Sequence, residues 1–230
     1  GIGVNWPTNY AKYDFWALDP KDMRNSVHNI RRTFYYNNPA DKEYFGKPII
    51  VKKAANGNLF LARNDGTLTT IAIDTLRQYY PYYRKIEGPS INNDILSGNT
   101  SKDFSRMRVA ETYLLRAEAY FRKGDLENAA KDINVVRARA KATLISANKV
   151  TEDFILDERT RELIVEEPRL RTLIRMGRLV DRVRKYNSEP SVANGPSSGK
   201  TIQDFNKFWP IPQKVIDANT GAKFEQNPGY

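Results

Sequence analysis

The sequence predicts a mainly α fold built on a paired-helix unit, with loops and one or two small β-hairpins. Three observations predict it. Apolar residues recur at helical spacing through most of residues 105–186. Two tight-turn dipeptides, Asn56-Gly57 and Asp65-Gly66, sit between short apolar runs. Composition also changes near residue 105, which separates an aromatic, loop-rich and hairpin region (1–104) from a helical core (105–230). The two regions are expected to share one structural domain.

Residues 1–45 are aromatic and loop-like, and Trp6-Pro7, Asp19-Pro20 and Asn38-Pro39 push the residue before each proline out of the helical region. Pro48 to Lys53 and Leu59 to Ala62 are expected to pair across Asn56-Gly57, with a further turn at Asp65-Gly66. The segment LRQYYPYYRKIEGPS gathers four tyrosines around Pro81 and is expected to be irregular.

From Ser105 the helical pattern runs through Val109, Tyr113, Leu114, Ala117, Tyr120 and Phe121. Gly124 is positioned to end that helix, and Asp125 to cap a second one that buries Leu126, Ala129, Ala130, Ile133, Val135 and Val136. Ala117 taken as the eighth position of a tetratricopeptide unit puts Tyr113, Tyr120, Ala129, Ile133 and Val136 at its other characteristic sites. Small residues sit where the helices approach closest, and bulky ones fill the groove beside them. Arg116 departs from the pattern. No second copy of the unit is visible, although stacking needs about three.

A third helical block begins at a cap, Thr151, and Pro168 should break it near Glu167. Asp157–Arg161, Glu167–Arg171 and Asp181–Lys185 lie four apart in the favourable acid-first order. Residues 187–200 form a polar Pro/Gly/Ser stretch, expected to be a mobile surface loop. The chain closes with an extended WPIP segment, a short helix from about Gln213 to Ala218, and an Asn-Pro-Gly turn.

The chain has no cysteine and a single histidine, His28, so thiolate chemistry is excluded and a catalytic triad or multi-histidine metal site would rest on one residue. No catalytic, metal or cofactor site is expected. The net charge of +10 divides as +4 over residues 1–100 and +6 over 101–230, with no basic run; nucleic acid is therefore not an expected partner. No stretch approaches the roughly 18 apolar residues of a spanning helix, and the first residues lack the features of a signal peptide. Glu158, Glu162, Glu166 and Glu167 lie among arginines and are expected to pair structurally, not to form a catalytic carboxylate pair.

The helix pair RVAETYLLRAEAYFRKGDLENAAKDINVVRARA resembles the C-terminal region of the SusD/RagB family. So, in the same order, do ILDERTRELIVEEPRLRTLIRMGRL, FWPIPQKVIDAN and the terminal QNPGY; DMRNSVHNIRRTF and YPYYRKIE fit more loosely. Leu170 stands where the family usually has an aromatic, Leu173-Ile174 where it commonly has Asp-Leu, and Pro168 is unusual.

This resemblance implies a SusD-like α-helical fold. It also implies a non-catalytic, lipid-anchored protein at the outer-membrane surface that binds an oligosaccharide or polysaccharide and delivers it to a TonB-dependent, SusC-like transporter. A complete member is roughly twice as long, so an N-terminal half bearing the anchor is expected. A peptide carrier of the RagB type and a repeat-scaffold interaction module are the alternatives.

Glycan binding needs aromatic faces flanked by hydroxyl, amide and guanidinium groups. Trp6, Tyr10 and Trp16, with Tyr13, Phe15, Asn5, Asn9 and Asp14 nearby, form one candidate set. Tyr79, Tyr80, Tyr82 and Tyr83 form a second. Trp209 is expected in the core.

Overall fold

The computed structural model describes residues 7–53, 59–62, 68–72, 81–93, 99–187 and 197–230. They fall into two compact units, Gly1–Glu167 and Pro168–Tyr230. The loop-rich region and the first three long helices therefore share one unit.

That unit opens with a π-helical turn, Tyr10–Asp14, running into a short helix α1 (Phe15–Ala17). Strand β1 (Ile30–Arg31) pairs antiparallel with β5 (Tyr82–Tyr83), Ile30 opposite Tyr83 and Arg31 opposite Tyr82. Strands β2 (Ile50–Lys53), β3 (Leu59–Ala62) and β4 (Leu68–Ala72) form an antiparallel sheet in that order. Both expected hairpins are present, while their turn dipeptides lie outside the described residues. Phe15, Trp16, Ile30 and Tyr83 bury together as a small core of their own.

The main core is helical. Helices α2 (Val109–Arg122) and α3 (Leu126–Arg139) pack on each other and on α4 (Glu152–Leu163). Gly124 separates α2 from α3 at φ +78°, and the Asp125 side chain accepts from the Asn128 N–H at 3.1 Å. Leu114, Ala117, Ala129, Ile133, Val136 and Ile155 are buried between the helices. Val109 and Val135 are exposed, Val135 contrary to the expected pattern. Arg116, the departure from the repeat signature, clamps α3: its Nε and Nη2 each donate to an Asp132 carboxylate oxygen at 2.7 Å. A guanidinium fork matches a carboxylate's two oxygens, so this position adds an interhelical bond where the repeat has an apolar contact.

The Thr151 hydroxyl caps α4, accepting from the Phe154 N–H at 3.0 Å. The helix ends at Leu163, before the proline, where Val165 adopts φ +62°. Its carboxylates pair with arginines, as expected, and Glu158 and Glu162 do so in the interior. Glu158 is fully buried and accepts from Arg24 (2.8 Å), Arg137 (2.7 Å) and Arg161 (3.2 Å). One turn on, buried Glu162 accepts from Arg24 (3.1 Å), Arg108 (3.0 Å) and Arg139 (2.7 Å). Asp22 holds Arg24, and Asp19 holds both Arg137 (2.6 Å) and the Thr143 backbone (2.8 Å). The loop preceding β1 is thereby bolted to α3 and α4. Asp157 accepts from the Tyr10 hydroxyl, and buried Arg159 donates to Glu167 at 2.6 Å.

The second unit holds α5 (Arg169–Arg175), α6 (Leu179–Tyr186), α7 (Ser198–Thr201) and α8 (Gln213–Asp217). Helix α7 occupies part of the expected 187–200 loop, because Ser197 and Ser198 accept backbone N–H groups of the next turn; residues 188–196 lie outside the described ones. The terminal QNPGY is fastened to WPIP. Gln226 exchanges two hydrogen bonds with the Ile211 backbone, and the Asn227 amide donates to the Trp209 carbonyl at 2.8 Å. Trp209 itself is 74% exposed, so the motif fixes its backbone and leaves its ring outside.

Two outcomes follow for stability. A Cβ at Gly124 would meet nothing within 4 Å, so Gly124→Ala should cost about 1 kcal/mol from the positive φ alone, measured by urea denaturation. Burial raises the Glu162 pKa, but Arg139, Arg24 and Arg108 outweigh it and hold the carboxyl below its ordinary 4.5. A depressed carboxylate stabilises the fold fully above its unfolded value and loses that contribution as pH falls through the folded one. The melting temperature should thus stay level from pH 7 towards 5 and drop below about 4.5. Glu162→Gln should lower stability at pH 7 by about 3 kcal/mol and flatten that acid limb.

Candidate functional site

Successive strand residues point to opposite faces. In the β1–β5 ribbon this sends Ile30 and Tyr83 into the core and turns Arg31 and Tyr82 the other way. Those two residues line an open pocket of about 1160 Å3. Its other walls include His28, Arg84, Glu87, Ser90, Asn99 and Thr100.

Glu87 organises this pocket. It accepts from the Tyr82 hydroxyl at 2.6 Å and from Arg84 Nε at 2.6 Å, and pairs with Arg31 at 3.0 Å. The Arg31 guanidinium lies 5.7 Å from the centroid of the Tyr82 ring, and Phe34 packs beside that ring at 5.9 Å. Burial raises the Tyr82 phenol, and the bond to Glu87 adds to it, pushing it up to about 12; Tyr82 therefore stays a neutral donor. Burial acts to raise Glu87 too, but Tyr82, Arg84 and Arg31 hold it below the usual carboxylate range. The far wall is shaped by backbone. Ser90 and Thr100 form an isolated antiparallel bridge, and the Thr100 hydroxyl donates to the Pro89 carbonyl at 3.0 Å. A Cβ on Gly88 would come within 2.3 Å of Thr100 Oγ1 and 2.6 Å of Lys102 Cβ, so only glycine fits there.

The expected site residues divide. Tyr82 lines the pocket. Tyr83 is buried: its hydroxyl donates to the Ala11 carbonyl and accepts from Trp16 Nε1 at 3.2 Å, and burial pushes the phenol up to about 12. Trp16 is likewise interior, tilted on Phe15 at 4.6 Å, so neither ring lies on the open pocket. Tyr10 is half-buried, edge-on to Phe15 at 5.1 Å. Trp6, Tyr79 and Tyr80 lie outside the described residues, as does Asn5. Arg31, Arg84, Glu87, Ser90 and Thr100 were not anticipated. The only part of this that the sequence signals is the alternation within the strand, which separates Tyr82 from Tyr83; Arg84 lies in the 3-10 turn that follows.

This arrangement suits a polyhydroxylated ligand: a ring and guanidinium surface with hydroxyl, amide and imidazole groups around it. Glu87 is the one carboxylate among the described lining residues, whereas glycoside hydrolysis uses two. Among the described residues no cluster of three or more His, Asp or Glu is placed to hold a metal ion, and no helix is long and apolar enough to cross a membrane.

A protein-family model described as the SusD family matches residues 3–230. Starch-binding protein SusD of Bacteroides thetaiotaomicron is 38% identical over 128 residues, covering 56% of this chain and 22% of that protein. The solved structure of surface glycan-binding protein A from Bacteroides thetaiotaomicron aligns with a TM-score of 0.51 at 21% identity, over 99% of this chain and 46% of its own. A SusD superfamily protein from Bacteroides fragilis aligns with a TM-score of 0.50 at 22% identity, over 97% of this chain and 40% of its own. The matches span less than half the length of each relative, and at these identities the two structural ones speak to the fold.

Proposed function

The chain belongs to the SusD family, and on that premise we propose that it binds an oligosaccharide or polysaccharide without catalysis. In this reading the whole protein is lipid-anchored at the outer-membrane surface. It passes the glycan to a TonB-dependent, SusC-like transporter.

The observation that carries the glycan reading is the Tyr82 pocket. Its donors are preset: Glu87 orients Arg31, Arg84 and the Tyr82 hydroxyl before any ligand arrives, which lowers the ordering cost of binding. A sugar ring would meet a composite surface of phenol and guanidinium, with Ser90, Asn99 and Thr100 within the same pocket. The name of the starch-binding relative supports the same ligand class. Non-catalysis is supported by Glu87 itself, the one carboxylate among the described lining residues, held ionised by two guanidiniums and unsuited to act as a general acid.

Isothermal titration calorimetry against a panel of neutral and acidic oligosaccharides should show binding to at least one. Tyr82→Ala should weaken it about tenfold, the loss of one aromatic contact. Peptide binding with no response to any glycan would replace this reading with the peptide carrier. Co-purification of the full-length protein with an outer-membrane transporter tests the delivery step.

A further inference from the structure

A second cavity, of about 350 Å3, lies on the core side of the same ribbon, lined by Tyr83 where Tyr82 lines the open pocket. Five cations reach it, Arg24, Lys85, Arg108, Arg139 and Arg161, against two carboxylates, Glu162 and Glu166. The rest of its wall is largely apolar, with Trp16, Met23, Tyr83, Ala140 and Ile164.

The ion pairs behind this wall do not close on themselves. Six cations (Arg24, Lys85, Arg108, Arg137, Arg139 and Arg161) share five carboxylates: Asp19, Asp22, Glu158, Glu162 and Glu166. Among the described residues the cations of this network outnumber its carboxylates by one, with the Arg139 side chain 61% exposed. Arg161 is 4% exposed, and its terminal nitrogens donate to Glu158 at 3.2 Å and to the Phe15 carbonyl at 3.3 Å. Its Nε, also buried, has no hydrogen-bond partner among the described residues. A buried guanidinium N–H without an acceptor is costly, and charged groups make it more so.

We propose that this cavity is a binding site for a small organic monocarboxylate. One carboxylate would bring a single negative charge to the five cations that line the cavity, Arg161 with its unpartnered Nε among them. The apolar wall of Trp16, Tyr83 and Ile164 gives its organic body a seat that a bare halide would not use. Lys85 fits the same account. Burial lowers its pKa and Glu166 offsets only part of that, so a bound anion would favour its charged form. An acidic sugar and a peptide C-terminus both present this group.

Calorimetry and thermal-shift assays on the protein would use glucuronate and N-acetylphenylalanine as probes, with glucose and chloride as controls. The expected result is saturable one-to-one binding and a rise in Tm for at least one carboxylate, with none for glucose; whichever probe binds identifies the source. Ala140→Leu, which fills the cavity and keeps every charge, should weaken binding at least tenfold. So should Lys85→Met. Tyr82→Ala should leave it unchanged, which separates this site from the glycan pocket. The proposal is overturned if neither carboxylate binds the folded protein, if chloride binds as well as they do, or if binding survives both cavity variants.

Discussion

Glu158 and Glu162, one helical turn apart on α4, hold together segments that lie far apart in the chain. Each is buried and each is held by several guanidiniums, which come from residue 24, from residue 108 and from the end of α3. A buried ion pair adds little net stability over an apolar pair of the same volume, but removing one partner is costly. The network therefore constrains geometry. Arg24 can reach both glutamates only when the loop around Asp22 sits against α4, and that seating places β1 where β5 can pair with it. The ribbon, and with it both cavities, is downstream of this ionic joint.

The ribbon then sorts side chains by parity. Ile30 and Tyr83 complete the small aromatic core with Phe15 and Trp16, while Arg31 and Tyr82 join Glu87 outside. Glu87 does for the pocket what Glu162 does for the scaffold: one carboxylate fixes several donors. The difference is solvent. The Arg31 and Arg84 side chains are about two-fifths exposed, so their pairing with Glu87 orients them without contributing much stability.

Much of the helical architecture was legible because it rests on local rules. Gly124, Asp125, Thr151 and Pro168 mark boundaries that the structure keeps, and the small-residue pattern of Ala117 and Ala129 identifies the close helix contact. The site was less legible for a physical reason. Aromatic composition says that rings are present but not which way they face, and four neighbouring tyrosines look alike until strand alternation is imposed. Tyr83 is a core residue for that reason, Trp16 is buried on helix α1, and Trp209 is exposed because its motif secures backbone atoms instead of the ring. For the buried charges, spacing shows which residues share a helix face. It does not show what covers that face, and here the cover is the loop carrying Arg24, more than a hundred residues away.

The two-residue period of β1 and β5 has a consequence for how such a protein can diversify. Inward positions answer to packing, and outward ones answer to whatever occupies the pocket. Because neighbours on a strand belong to different categories, one can be exchanged while the other is retained. A lineage, or a combinatorial library, could rewrite residues 31 and 82 and sample new ligand preferences on an unchanged interior. Selectivity and foldability are inherited here on alternate letters of the same short words.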